Sequence, residues 1–385
     1  MKICFYSSDE KALSYEDICS QGASGTLSSM VFAAKGLSEL GVNVTVLGNF
    51  KETRSINNLC YKCVSEIENI DTYSSCFDVF IFVGHCGSEI SARLHSSKVY
   101  YWAHNWIEPR HYDPLLDDNI IDGIIFVSHF HKAQYNLKSM FFKKLSYRPR
   151  KNLYVIQNAI DLDLLGEFKR DRVHKEDYTP LQFAFVGYPS SNKGFDKVCD
   201  LIASINKYSE KKVKLNVFGA GDLYSSDVRV PGLFDGMSKI KNDVIIHGSL
   251  GREQLYQEVG NCDAVISGLN ASETFCVSLL EAVYLSVPVI SCNVGGQIEF
   301  LKHKNNAYLL RYGDVDSRNS ALSIIKFVNN YQVSLGGNTP DTYSVFNISE
   351  KWYKLLVLNR NATSARKSLR AYISLCKLIL LKRKC

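Results

Sequence analysis

The sequence predicts an α/β protein of two doubly wound, Rossmann-like domains facing a central cleft. Three observations carry that expectation. Short apolar runs alternate with amphipathic stretches, one charged segment poor in large aliphatics interrupts the series, and the alternation then resumes. Strands alternating with helices imply parallel sheets covered on both faces. A chain of 385 residues is long enough for two domains of ordinary size.

In the first series Lys2–Tyr6 and Asn43–Leu47 read as buried strands. Leu27–Leu40 between them reads as a helix stopped by Gly41. Val79–Val83, Val99–Trp102, Gly123–Val127 and Tyr154–Gln157 continue the strands. Gly166–Pro180 (GEFKRDRVHKEDYTP) reads as a linker. The second series has strands at Gln182–Val186, Lys214–Phe218, Val244–His247, Ala264–Ser267 and Val287–Ser291. Its helices are Asp196–Ile205, Arg252–Val259, Phe275–Leu285 and Asp316–Val328. The expected division is residues 1–165, a linker at 166–180, and 181–346. Asn347-Ile-Ser-Glu350 then opens a helix containing Trp352, with Ser349 suited to start it and Glu350 near the dipole.

Composition narrows the function classes. The net charge is +6, but the segment from Arg360 to Cys385 holds eight Lys or Arg and no acid. Subtracting those eight from +6 leaves the rest of the chain at −2, which argues against a nucleic-acid-binding body. The twelve Cys are scattered, with Cys60 and Cys63 the one close pair, which suits a reducing compartment better than a disulfide framework. MKICFYSSDE lacks the apolar stretch of a signal peptide, so a cytoplasmic location is expected. No uncharged apolar run is long enough to span a bilayer.

The most informative segment is Ala264–Leu301 (AVISGLNASETFCVSLLEAVYLSVPVISCNVGGQIEFL). Glu273 and Glu281, with seven residues between them, lie between two apolar strands, and a Gly295-Gly296 turn follows. A loop ending at a helix N-terminus holds anions, because unpaired N–H groups and the helix dipole face it. Carboxylates beside it accept from hydroxyl groups. Phosphate plus sugar hydroxyls describes a nucleotide sugar. The spacing of the two acids alone would better suit solvated surface residues; the flanking strands and the Gly-Gly turn reverse that preference.

These pieces together resemble the family 4 retaining glycosyltransferases of the GT-B fold. Supporting segments are FVGYPSSNKGFD (Phe185–Asp196), the FGAG turn (Phe218–Gly221), VIQNAID (Val155–Asp161), HGSLGREQLYQEVGNCDAVIS (His247–Ser267) and the GASG turn (Gly22–Gly25). The resemblance runs over about residues 1–356 and is strongest from Gln182 to Leu310. It implies that Glu281 accepts hydrogen bonds from the nucleotide ribose and that Glu273 contacts hydroxyls of the transferred sugar. It implies that N–H groups of Phe275, Cys276 and Val277 face the diphosphate. Cys276 stands where relatives often have Gly and reads as packing rather than as a nucleophile. Lys193, in the loop after a strand ending at Gly187, would balance charge on the leaving diphosphate. Relatives often carry an Arg just after that Gly; Tyr188 stands there, and Arg252 is the candidate replacement.

The resemblance places Gly22 and Gly25 near the donor phosphates and acceptor, although a bare Gly-x-x-Gly reads at least as well as an ordinary turn. His104, in YYWAHNW (Tyr100–Trp106), would lie beside the reacting sugar, and as a lone residue reads equally well as a structural His. Trp106, His111 and Tyr112 are expected in a loop at the acceptor site, since aromatic faces cover sugar C–H surfaces. The resemblance further implies that segment 347–385 rejoins the first domain. It implies retention of anomeric configuration with no cofactor and no essential metal; Asp161-Leu-Asp163 has metal-motif spacing but follows the NAID turn. The expected partners are a nucleoside diphosphate sugar and a glycan or lipid-linked acceptor. Residues 360–385 would contact an anionic membrane as a basic amphipathic helix, or dock as a final helix with a frayed basic end. The alternatives are a nucleotide-sugar epimerase and a non-catalytic glycan- or nucleotide-sugar-binding relative. A dinucleotide oxidoreductase needs Gly-x-Gly-x-x-Gly, and Gly219-Ala-Gly221 lacks the third Gly.

Overall fold

The computed structural model describes residues 1–9, 11–84, 90–143, 150–169, 180–219, 237–270, 273–302, 305–331 and 341–358. They form two compact units. One comprises Met1–Glu16, Gly25–Asp161 and the described residues from Asp341 on; the other comprises Asp17–Ser24 and the described residues of Leu162–Pro340. The tail at 360–385, Gly221 and linker residues 170–179 lie outside the described residues.

The first unit holds an eight-stranded sheet in the order β3-β4-β2-β1-β5-β6-β7-β8. Its strands are β1 (Lys2–Tyr6), β2 (Asn43–Gly48), β3 (Arg54–Ile56), β4 (Leu59–Cys63), β5 (Val79–Val83), β6 (Lys98–Ala103), β7 (Gly123–Phe126) and β8 (Leu153–Val155). All pairings are parallel except the antiparallel edge pair β3–β4. β5 is buried along its whole length, which is why VFIFV has no polar alternation.

The second unit holds a wholly parallel six-stranded sheet, β11-β10-β9-β12-β13-β14. These strands are β9 (Leu181–Val186), β10 (Val213–Phe218), β11 (Val244–Gly248), β12 (Ala264–Ile266), β13 (Val289–Cys292) and β14 (Ala307–Leu310). The helix Phe195–Tyr208 presses Val198, Leu201, Ile202 and Ile205 onto this sheet's core. Among the described residues no helix is long and apolar enough to cross a membrane.

The helix Val345–Leu356 completes the first unit. Its cap is Ser344, whose hydroxyl accepts from the Asn347 N–H at 3.1 Å; Ser349, expected to start the helix, lies inside it and is buried. Trp352 enters the core against Phe5 (centroids 5.5 Å) and Trp102 (4.7 Å), both edge-on. Such pairs add about 0.5–1.5 kcal/mol each beyond area burial. The helix lies against Gly25–Glu39 so closely that a Cβ on Gly36 would stand 2.0 Å from Ser349 Oγ. Three further expectations are corrected. His111 and Tyr112 sit in the helix Pro109–Asp117 rather than in a loop, because Pro109 takes its first position, where no N–H is needed. Gly166, assigned to the linker, lies in the helix Leu162–Phe168. The eighth strand spans Leu153–Val155 rather than Tyr154–Gln157.

Gly36→Ala should lower stability by about 1–3 kcal/mol through overpacking. Adding Ser349→Ala should recover part of the loss, since its hydroxyl is buried without a hydrogen bond. Urea unfolding of the single and double variants measures both effects.

Candidate functional site

In the six-stranded sheet, β9 lies between β10 and β12, so the winding direction reverses there. The loops leaving β9 and β12 therefore flank the switch point, where parallel sheets bind ligands. Lys193 lies in the first loop and Glu273 in the second. They meet: Lys193 Nζ is 2.9 Å from Glu273 Oε1 and 3.2 Å from Oε2. The Lys193 side chain is 49% exposed and that of Glu273 only 12%, so the ammonium remains accessible to a ligand while the carboxylate is held.

Backbone approach fixes both loops. Gly187 (φ +135°) and Gly219 (φ +104°) let the ends of β9 and β10 touch; a Cβ on Gly219 would lie 3.1 Å from the Gly187 carbonyl. Asn270 donates to the carbonyls of Ser191 (3.2 Å) and Asn192 (3.3 Å), tying the Lys193 turn to the second loop. The Gly296 N–H donates to the Glu273 carbonyl at 2.9 Å, and a Cβ on Gly296 would stand 1.9 Å from the Thr274 oxygen. Fully buried Gln297 bonds the Val294 (2.9 Å) and Gly268 (3.2 Å) carbonyls, bracing the Gly-Gly turn. Asn270 and Gln297 have no chemistry of their own to signal from sequence.

The helix Val277–Tyr284 starts at Cys276, which is left-handed at φ +70°. This explains why Gly suits the position; Cys adopts the conformation at a cost of roughly 1–2 kcal/mol. No described hydrogen bond uses the N–H of Cys276 or Val277, so these donors are open to an anion. Phe275 is buried against Phe300 at 5.4 Å. Burial, with a smaller contribution from Glu273, pushes the Cys276 thiol up to about 12, leaving it protonated near neutral pH.

Glu281 is 4% exposed. Its Oε1 is paired with Arg252 Nη1 and accepts from the Tyr256 hydroxyl at 2.8 Å. Arg252, the candidate replacement for the cation absent at Tyr188, thus has its guanidinium bound to Glu281 and is 6% exposed. Gly22 groups with this unit: a Cβ there would lie 1.7 Å from Ser249 Oγ, and one on Gly251 would lie 2.5 Å from the Ser20 carbonyl carbon. Gly25 belongs to the other unit, as the first residue of the helix Gly25–Glu39.

In the first unit, His104 follows β6, is 6% exposed and packs on Trp102 at 4.4 Å. Trp106 is half-buried, edge-on to His131 (5.1 Å) and Phe130 (5.9 Å). Burial pushes His131 down to about 3, so it is a neutral core residue. Tyr112 stacks on Tyr101 at 4.8 Å. His111 is exposed beside Arg110.

Residues 167–335 match the family model of glycosyl transferases group 1. Among curated proteins none matches the chain. Solved structures share the fold. AviGT4, a glycosyltransferase involved in avilamycin A biosynthesis, is 18% identical with TM-score 0.64, covering 92% of this chain and 98% of that one. HepE of Anabaena, in complex with UDP and glucose, is 16% identical with TM-score 0.62, covering 93% and 100%. The apo lipopolysaccharide outer core galactosyltransferase WaaB is 16% identical with TM-score 0.58, covering 93% and 99%. The fold is GT-B, with two parallel-sheet units.

Cys276→Val should cost more than about 2 kcal/mol, because a β-branched residue is a strong outlier at positive φ. Cys276→Gly should stay within about 1 kcal/mol, strain relief offsetting lost burial and greater chain entropy. Thermal unfolding checks both, and native Cys276 should resist iodoacetamide at pH 8.

Proposed function

We propose that the protein is a retaining glycosyltransferase that moves a sugar from a nucleoside diphosphate sugar to an acceptor hydroxyl on a glycan or glycolipid. The observation that carries this reading is the Lys193–Glu273 pair at the sheet switch point, beside the open N–H groups at Cys276 and Val277. The group 1 glycosyl transferase match over 167–335 covers the same residues. HepE is complexed with UDP and glucose, which makes UDP-sugars the first donors to try.

On this reading the diphosphate takes the Lys193 ammonium and the N–H groups of Cys276 and Val277. As the sugar–oxygen bond breaks, negative charge grows on the phosphate, and those preorganised donors stabilise it. Released from Lys193, Glu273 accepts from hydroxyls of the transferred sugar, and Glu281 accepts from the ribose. The acceptor hydroxyl attacks on the face that the diphosphate leaves, and the departing phosphate oxygen takes its proton. His104 hydrogen-bonds a hydroxyl near the reacting carbon; Trp106 and His111 are offered for acceptor contact. No side chain acts as nucleophile, no metal is required, and rate comes from orientation and phosphate stabilisation. The eight cations of 360–385 would draw the protein to an anionic membrane near a lipid-linked acceptor. Vesicles containing anionic lipid should sediment the full chain and not a form ending at 358.

Tyr188 in place of a phosphate-binding Arg favours a second reading, a non-catalytic relative. A screen of UDP-, GDP-, ADP- and dTDP-sugars separates the readings. Thermal stabilisation by one donor, with slow release of the nucleoside diphosphate in EDTA, supports transfer. Donor binding without turnover toward any glycan supports the non-catalytic relative, and an altered sugar nucleotide without release supports an epimerase. Lys193→Ala should lower kcat about a hundredfold, as loss of one charge-stabilising donor does in other enzymes. Glu273→Gln, which keeps the shape and loses the charge, should reduce kcat with little change in melting temperature.

A further inference from the structure

The Arg252 position is unfavourable for its own helix. It is the first residue of Arg252–Gly260, where the helix dipole disfavours a cation. Its charge is also buried, which costs free energy unless it is paired. Tyr256 lies one turn on, on the same helix face. It is almost fully buried, with Arg252 Nη1 donating to its hydroxyl at 3.2 Å. Both side chains converge on one atom, Glu281 Oε1, and Oε2 accepts none of the described hydrogen bonds.

We propose that Arg252 and Tyr256 are positioning residues that keep Glu281 ionised and its Oε1 occupied, so that Oε2 alone serves as the acceptor for a vicinal diol and selects ribonucleoside over 2′-deoxyribonucleoside diphosphates. The inference rests on the nucleotide-sugar reading above and adds two residues and a selectivity to it. A buried carboxylate without partners takes up a proton and loses half its acceptor capacity. Arg252 prevents this by charge. Tyr256 fixes the rotation of the carboxylate, because one hydroxyl and one guanidinium nitrogen must both reach the same oxygen. With Oε1 filled, a nucleotide lacking one hydroxyl of the diol leaves the remaining oxygen under-satisfied, and that deficit is what discriminates.

The test is titration calorimetry of the full chain with UDP, GDP and ADP and with their 2′-deoxy counterparts. Wild type, Glu281→Ala, Tyr256→Phe and Arg252→Lys are compared, with melting temperatures recorded. Wild type should bind one ribonucleotide at least about tenfold tighter than its deoxy form, the scale of one well-made hydrogen bond. Glu281→Ala should erase that ratio. Tyr256→Phe, which keeps the ring packing, should shrink it several-fold while affinity for the deoxy form stays near wild type. Arg252→Lys, which keeps the charge and loses the fork, should fall between wild type and Glu281→Ala. A purely structural role predicts lower melting temperatures with the ratio unchanged, and that result overturns the proposal. Should Arg252→Lys fail to fold, Tyr256→Phe decides alone. Binding by wild type with no effect of Glu281→Ala sinks the inference and leaves the donor reading standing. No binding of any of the six nucleotides by folded wild type overturns both.

Discussion

Gly296 has no side chain, and the shape of the second-unit site depends on that. Its Cα lies where a Cβ would be 1.9 Å from the Thr274 oxygen, and its N–H holds the Glu273 carbonyl at 2.9 Å. The loop after β12 is therefore pinned to the turn after β13 by backbone alone. That pinning presents the Glu273 carboxylate to Lys193 and sets the left-handed Cys276 at the start of the next helix. Any side chain at 296 would push the loop away and take both features with it. Gln297, fully buried beneath the turn, completes the brace with two carbonyl bonds.

The two acids that share this segment live in different electrostatic settings. The Glu273 partner is a half-exposed ammonium, so the pair is weak enough to exchange for a ligand. The Glu281 partner is a buried guanidinium supported by a buried phenol, so that pair is costly to break. One carboxylate is thus suited to changing partners during a reaction, and the other to remaining fixed. Residue type alone does not separate them, since both are Glu in one segment with seven residues between them.

Much of the strand framework was legible because buried parallel strands read as continuous apolar runs. Lys2–Tyr6 and Val79–Val83 have the expected limits, and most other strands shift by one or two residues at an end. Elements without a continuous buried run escaped: β4 (LCYKC) alternates in burial, and β14 (AYLL) buries only Leu310 fully. The helix Pro109–Asp117 also escaped; it carries two prolines, of which Pro109 sits at the first position, where proline is tolerated. Ser349 looked like a cap because its residue type favours one, yet Ser344 holds that place by bonding Asn347.

The sequence by itself determined the α/β class, the alternation that builds two parallel sheets, and the segment where Glu273, Cys276 and Glu281 gather, because these follow from local pattern and turn chemistry. Tertiary structure alone decided partnership. Lys193 meets Glu273 across 80 positions of chain, and Arg252 meets Glu281 across 29. Sheet order brings the β9 and β12 loops together, and helix packing brings Arg252 and Tyr256 to Glu281. Those distances in sequence carry no local signal, so an arginine that reads as a free cation in the chain becomes the fixed counter-charge of a buried acid in the fold.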